Sequence, residues 1–583
     1  MRRRRAWSAG ALVLAAAGCS DEAPPASPAA PEAGPAAVEQ AAFHDEGAYV
    51  LRDVTAEAGL AGFHQVNGGA EKPFLVETVG AGCALFDADG DGDLDAYLTN
   101  GGRLGAELAS NPSDALYEND GRGRFADVSA AAGIDERRWT NGVRAADVDG
   151  DGACDLLLTN YGRETFYVGD GRGTFVERTA ETGLGDEDWS TGAAFLDFDR
   201  DGDLDLFLAN YVAFDEVRML GEHPVTVYQG IEVMKGPQGL PGAPDHFFVN
   251  DGGTRFHEAS RELGIVEDLF GFQCIPFDFD GDGWLDVFVA NDSVANALWR
   301  NREGKRFEDV ALRQGLAFSL AGRPQACMGI AVGDFDGDLL VDLFATNFAD
   351  DYSTVYRGQA RGFFLDVTQA VGLGALTMAE LSWGTGFVDL DLDGDLELYQ
   401  VNGHVYPQVD RFPLGMEYHQ RAQLFEYDGA RWREPDGRGG SAFAAKRAAR
   451  GSATGDVDGD GDEDLLIEDI DGPPRLLRNE GRTGRGLLVE LVGAGGNREA
   501  VGARLVARVG EKRALFLVGT AAGFLSSSDR RVTIGLGAAG ALDELEVTWP
   551  LGASERFTGL GAGTRVRIEE RPGAPAAVTI RGP

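Results

Sequence analysis

Nine-residue acidic loops recur seven times along this chain, each with an acid at nearly every second position and each running into an apolar, β-rich segment. The first reads Asp87-Ala-Asp89-Gly-Asp91-Gly-Asp93-Leu-Asp95. Like charges at this density repel unless a cation neutralises them. Hard divalent ions want several oxygen ligands at about 2.3–2.6 Å, and alternating carboxylates on a tight turn supply them locally. Calcium is the expected ion, at up to seven sites. Magnesium is disfavoured because it demands near-octahedral geometry and holds its water. The alternative without metal, acids merely solvating hairpin tips, leaves the repulsion unanswered.

Counting from the first Asp, positions one, three and five should offer side-chain oxygens. Position seven should offer a backbone carbonyl, and position nine a carboxylate binding through both oxygens. The candidate ligands of the first loop are therefore Asp87, Asp89, Asp91, Asp93 and Asp95. Those of the second and third are Asp147, Asp149, Asp151, Ala153 and Asp155, then Asp197, Asp199, Asp201, Asp203 and Asp205. The fourth and fifth offer Asp278, Asp280, Asp282, Trp284 and Asp286, then Asp334, Asp336, Asp338, Leu340 and Asp342. The sixth and seventh offer Asp389, Asp391, Asp393, Asp395 and Glu397, then Asp456, Asp458, Asp460, Asp462 and Asp464. Gly usually stands at position six, where a tight turn needs positive φ. Leu339 takes that place in the fifth loop, which makes the site at Asp334 the expected weakest. An EF-hand would need its last acid at position twelve and flanking helices, which this pattern lacks.

A Gly five residues before the first Asp recurs as Gly82, Gly142, Gly192, Gly329, Gly384 and Gly451, with Gln273 the exception. Repeated Gly at one strand position signals close backbone approach, as at the crowded axis of a closed ring. Between loops runs a second hairpin pattern, such as Leu116-Tyr-Glu-Asn-Asp-Gly-Arg-Gly-Arg-Phe125. Two hairpins per unit of 50–80 residues make a four-stranded blade, and the fold class is all-β: a seven-bladed β-propeller. Residues 49–54 look like half of an outer hairpin and residues 475–481 like the missing half, so the termini of the array should pair.

The formal charge of −43 over 583 residues opposes nucleic acid and anionic lipid as partners. Seven bound Ca²⁺ would still leave about −29. Arg2 to Arg5, an apolar stretch and Ala16-Ala17-Gly18-Cys19 read as an export signal, with Cys19 resembling a lipidation site; free secretion and a twin-Arg route are the alternatives. Residues 20–46 are rich in Ala and Pro and read as a tether. Cys83, Cys154, Cys274 and Cys327 are expected as free thiols, with disulfides the alternative in an exported protein.

The Gly-strand-Asp-loop pattern resembles FG-GAP repeats of the VCBS type, the calcium-hairpin blade of integrin α-subunit heads, over residues 47–482. Past the last loop, Asn497-Arg-Glu-Ala-Val-Gly-Ala-Arg504, Gly535-Leu-Gly537 and Val547-Thr-Trp-Pro-Leu-Gly552 look like the ASPIC/UnbV domain. The combination is similar to the cartilage acidic protein family. Independently, alternation across residues 486–572 predicts a small β-sandwich or barrel, with 573–583 a tail. The gap between Asp205 and Asp278 holds a Pro/Gly-rich loop, residues 211–245, that reads as a channel-mouth cover or a rigid spacer. His223, His246, His404, Tyr211 and Tyr228 are the candidates near that mouth. Two functions follow: a calcium-stabilised binding, adhesion or scaffold module for a protein or glycan ligand, or an extracytoplasmic enzyme with its site at the channel mouth. No nucleophile or orienting partner is assigned, so no catalytic residue is named.

Overall fold

The computed structural model describes residues 43–582 except 186, 214, 482–483 and 520–522. The export signal and Cys19 lie outside the described residues. Among the described residues, seven antiparallel sheets of three or more strands follow one another between residues 51 and 479, six of four strands and one of three, with two two-stranded sheets inserted between them. The three-stranded sheet arises because Asp155–Gly169 runs unbroken, pairing with Trp139–Ala146 along its first half and with Phe175–Glu177 along its second. Each innermost strand packs on the next in cyclic order. Cys83–Phe86 lies between Trp139–Ala146 and Ala449–Gly455, which closes the ring.

The last sheet is built from both ends of the array. Leu51–Asp53 pairs antiparallel with Arg475–Asn479, with Leu51 opposite Asn479 and Asp53 opposite Leu477. Such a joint exchanges open strand edges for a complete hydrogen-bond ladder. The segment assigned to the tether folds earlier than its composition suggests. Phe43 packs against the adjoining core, and the Asp45 carboxylate accepts from the N–H and hydroxyl of Ser441 at 2.6 and 2.9 Å.

The recurrent glycines lie where neighbouring inner strands nearly touch. A Cβ on Gly329 would stand 2.1 Å from the Trp383 carbonyl oxygen, and one on Gly192 would stand 2.7 Å from Cα of Gln273. Gln273 departs from the pattern for a reason: its amide oxygen accepts from Arg144 Nη2 at 3.0 Å. Outside the axis, apolar faces of adjacent blades pack together, with Phe166, Phe195, Phe207 and Phe247 wholly buried. Each such side chain contributes on the order of 1.5–3 kcal/mol.

One recurrent element escapes the sequence reading. Single-turn helices follow the outer strands at Thr55–Ala58, Ser129–Ala132, Thr179–Thr182, Ser260–Leu263 and Ala311–Gln314, most ended by a glycine such as Gly59. The motif Thr/Ser-x-x-x-Gly-Leu/Ile marks several of them, but four residues show no helical periodicity.

Residues 486–581 form two four-stranded sheets around Leu487, Val489, Leu505, Val547 and Trp549. The supposed tail is part of this sandwich: Ala577–Arg581 pairs with Arg565–Glu569, because Val578 and Ile580 extend the β alternation past the Pro-containing turn. The region 211–245 is likewise folded. It contains the helix Glu216–Glu222, whose Asp215 side chain caps the Arg218 N–H, and the hairpin of Val225–Tyr228 with Ile231–Met234. The four described cysteines are free. Among the described residues no helix is long and apolar enough to cross a membrane.

Close packing at the axis predicts that Gly329→Ala lowers the denaturation free energy by about 1–3 kcal/mol. Gly69→Ala, whose Cβ meets nothing within 4 Å, should change it by less than about 0.5 kcal/mol. Urea midpoints of the two variants test this.

Candidate metal centres beneath the capping domain

Each acidic loop is folded by its own carboxylates. The first Asp accepts from the N–H at position six, as in Gly92 to Asp87 (3.0 Å) and Gly152 to Asp147 (2.9 Å). The fifth accepts from position seven, as in Asp93 to Asp91 (2.9 Å) and Trp284 to Asp282 (3.0 Å). Because position seven is used through its backbone, Ala153, Trp284 and Leu340 are tolerated there. Trp284 instead carries the Arg200 guanidinium at 4.1 Å over its ring.

Two positions, not one, need the left-handed backbone. Position six has φ 98° at Gly92 and 67° at Leu339, while position four has φ 80° at Gly90, 65° at Arg200 and 59° at Leu392. Backbone strain is therefore shared by three loops, the fifth through Leu339, the third through Arg200 and the sixth through Leu392.

The ninth acid does more than its sequence position suggests. One oxygen of Asp95 accepts from the N–H of Ala88 at 2.9 Å, and the other from Asn119 of the neighbouring strand at 2.8 Å. Asp155, Asp205, Asp286, Asp342 and Asp464 repeat this double clamp. Glu397 takes the Leu390 N–H at 2.9 Å and, in place of the second N–H, the Tyr49 hydroxyl at 3.2 Å. One lone pair on each clamping oxygen remains.

Carboxylate oxygens from positions one and three meet one from position five or nine within 4.8 Å, as in Asp87, Asp89 and Asp95, or Asp278, Asp280 and Asp282. Asp147, Asp197, Asp280 and Asp336 each bury an Oδ1 that no hydrogen-bond donor satisfies among the described residues. Burial, reinforced by neighbouring acids, raises Asp147 to about 7 and Asp197 and Asp334 to about 6. Hard, anionic, unsatisfied oxygens converging in this way fit a divalent cation. The cation would supply the positive charge that lets all of them ionise.

The C-terminal sandwich lies on these loops. Arg531 donates to the Gly92 carbonyl at 2.9 Å, Arg504 to that of Leu339 at 3.1 Å, and Lys512 pairs with Asp395 at 2.8 Å. Backbone N–H groups of Gly484 and Gly537 reach the carbonyls of Asp391 and Leu392, both at 2.8 Å. From the same domain, residues 523–527 enter the axial channel. Phe524 and Leu525 are fully buried there, and Phe524 packs on Trp383 and Phe272 with centroids at 5.0 and 5.8 Å. The carbonyls of Gly523, Leu525 and Ser527 accept from Ile330, Val143 and Leu85 at 3.1, 3.1 and 2.9 Å. Arg144, also buried, donates to Ser526 and Ala193 carbonyls and to Gln273, and its burial lowers it to about 10.

The residues proposed for the channel mouth divide. Tyr228 of the inserted hairpin packs on His404 and Tyr406 with centroids at 5.7 and 5.3 Å, and His223 packs on Phe74 at 5.0 Å. His404 is fully buried, its Nδ1 accepts the Tyr406 N–H at 3.0 Å, and burial beside Arg450 lowers it to about 3. The Tyr211 hydroxyl is spent on Asp292 at 2.5 Å. His246 lies elsewhere, 3.5 Å from Asp188 in a surface cavity with Arg163 and Glu258. Sequence reasoning missed Arg144 and the 523–527 plug. An Arg where the other inner strands carry small or apolar residues was the one available signal.

Comparison with known proteins agrees with this architecture. An FG-GAP-like repeat model matches residues 87–158, 147–208 and 278–345, and an ASPIC and UnbV model matches 493–575. Cartilage acidic protein 1 of Xenopus tropicalis is 27% identical over 277 residues, 46% of this chain and 40% of that protein, so the match spans less than half of the relative. A lectin from Burkholderia pseudomallei aligns over 68% of this chain and 95% of its own, at 11% identity and a TM-score of 0.41. A lectin of Agrocybe aegerita specific for non-reducing terminal N-acetylglucosamine aligns over 69% and 91%, at 15% identity and a TM-score of 0.36. The chain thus carries FG-GAP-like repeats over residues 87–208 and 278–345 and an ASPIC and UnbV domain over 493–575, the latter seated on the acidic hairpins.

Proposed function

We propose that this is an exported, calcium-stabilised binding or scaffold protein in which the metal is structural. The observation that carries the reading is the position of the acid clusters: they lie at the hairpins that the C-terminal domain contacts, while the chain itself fills the axial channel with Phe524 and Leu525. Calcium there holds blades and cap together, and the protein or glycan ligand meets the outer loops. The arginine run and Cys19 support export, with lipid anchoring to the envelope or release as the two destinations. Burial of His404 removes the candidate base at the channel mouth and speaks against the enzymatic alternative. Glycan arrays and envelope-protein arrays, probed with the exported domains with and without EGTA, test the binding role. Saturable, EGTA-sensitive capture of one ligand class supports it; ligand turnover without stable binding overturns it.

A site filled at 100 times its Kd stabilises by about 2.7 kcal/mol. Melting curves should therefore rise markedly on calcium readdition after exhaustive chelation, and an unchanged curve sinks the calcium reading. The loop at Asp334 should release its ion first, and Leu339→Gly should tighten it, seen as a later release in a chelator titration.

The metal-free protein should also show an inverted pH response. Burial holds Asp95 at about 7 and Asp155 and Asp342 at about 8, above their unfolded value near 3.9. The folded state then binds more protons between about pH 4 and 8, so stability falls as pH rises through that window. In chelator the melting temperature should climb on acidification from pH 8 to 5. In calcium, which keeps the acids ionised, that climb should disappear.

A further inference from the structure

One cap residue beside the second loop differs in charge from the side chains that meet the first, fifth and sixth loops. At the first, fifth and sixth loops the cap side chains that make described polar contacts are Arg531, Arg504 and Lys512. At the second the cap also presents an acid. Glu499 is 5% exposed, and its Oε1 accepts the Asp147 N–H at 3.1 Å. Arg530 Nε lies 3.5 Å from that same oxygen. Among the described residues, Glu499 Oε2 is buried without a hydrogen-bond partner, as is Asp147 Oδ1. Asp147, Gly152, Ala153 and Glu499 line one cavity of about 330 Å³ between the domains, where Arg498 approaches Asp147 Oδ2 no closer than 3.7 Å.

The carrier of Glu499 is rigid. Asn497 closes its loop by bonding both the N–H and the carbonyl of Val501 at 2.9 and 3.0 Å, and Ala500 is held at φ 52°. Gly496 presses on the metal hairpin: a Cβ on Gly150 would meet its Cα at 3.0 Å. Arg530 and the Asp147 N–H serve only one oxygen of Glu499, and leaving the other buried and unpaired against an acid-rich loop is costly unless a cation meets it.

We infer that Glu499 reaches across the domain boundary to complete the cation site of the Asp147 loop, so that metal occupancy there is coupled through a shared ligand to seating of the C-terminal domain. The inference rests on the calcium reading above. A structural acid would lose stability on removal whether or not metal is present, whereas a ligand loses it only when metal is bound.

Calcium binding to the exported domains, counted by equilibrium dialysis and followed by calorimetry, tests it with Glu499→Gln and Asp149→Asn. Glu499→Gln should weaken one site at least tenfold and leave the others unchanged. Its melting temperature should drop in calcium but hold or rise in EGTA, and in the Asp149→Asn background it should remove no further calcium. Binding identical to that of the parent protein overturns the inference, and so does an equal loss of stability with and without EGTA. Absence of calcium binding by the parent protein would instead overturn the calcium reading itself.

Discussion

The buried carboxylate at the end of each acidic hairpin is the interaction on which the ring depends. Asp95 and most of its counterparts hold two backbone N–H groups on different strands, one in the hairpin and one in the strand beside it. A charge-assisted pair of bonds of this kind is worth more than a neutral one and fixes the hairpin to its blade. The cost is a cluster of like charges in poor contact with water. That cost explains why the loops repeat so faithfully: each needs the same compensation.

Compensation comes from two sources of different reach. A cation bound within the loop would neutralise it locally. The capping domain adds Arg531, Arg565 and Lys512 at long or partly exposed contacts, which screen and orient but contribute little each. The apolar plug does the complementary work. Phe524 and Leu525 bury fully in the channel, and Arg144 holds the plug's backbone with no carboxylate partner among the described residues. The propeller and the sandwich are therefore one structural body, polar at the rim and apolar at the axis.

Much of this was legible because the repeat writes its geometry locally. Acid spacing, inner-strand glycines and the split outer hairpin at residues 51–53 and 475–479 all describe contacts within a unit or between equivalent units. The reading failed where the contact partner belongs to a different kind of unit. The tether was extended past Phe43, whose packing partner lies in the sixth and seventh blades. A second failure is local in origin: Ala577–Arg581 reads as a tail because a Pro-containing turn separates it from its partner strand in the same sandwich, Arg565–Glu569. Gly at position four of the loop went unremarked, and Arg200 and Leu392 show that the backbone imposes the same φ there.

The sequence by itself determined the repeat, its β character, the candidate cation sites and the closure of the ring. These depend on alternation, turn chemistry and charge density, which act over a few residues. Only the tertiary structure decided that the channel is filled, that His404 is sealed away, and that Glu499 meets the Asp147 loop. The plug and the Glu499 contact come from docking of one domain on another, the latter between residues 352 positions apart, while His404 is sealed by Tyr228 of the inserted hairpin, Phe348 and Tyr406, and no local pattern encodes either.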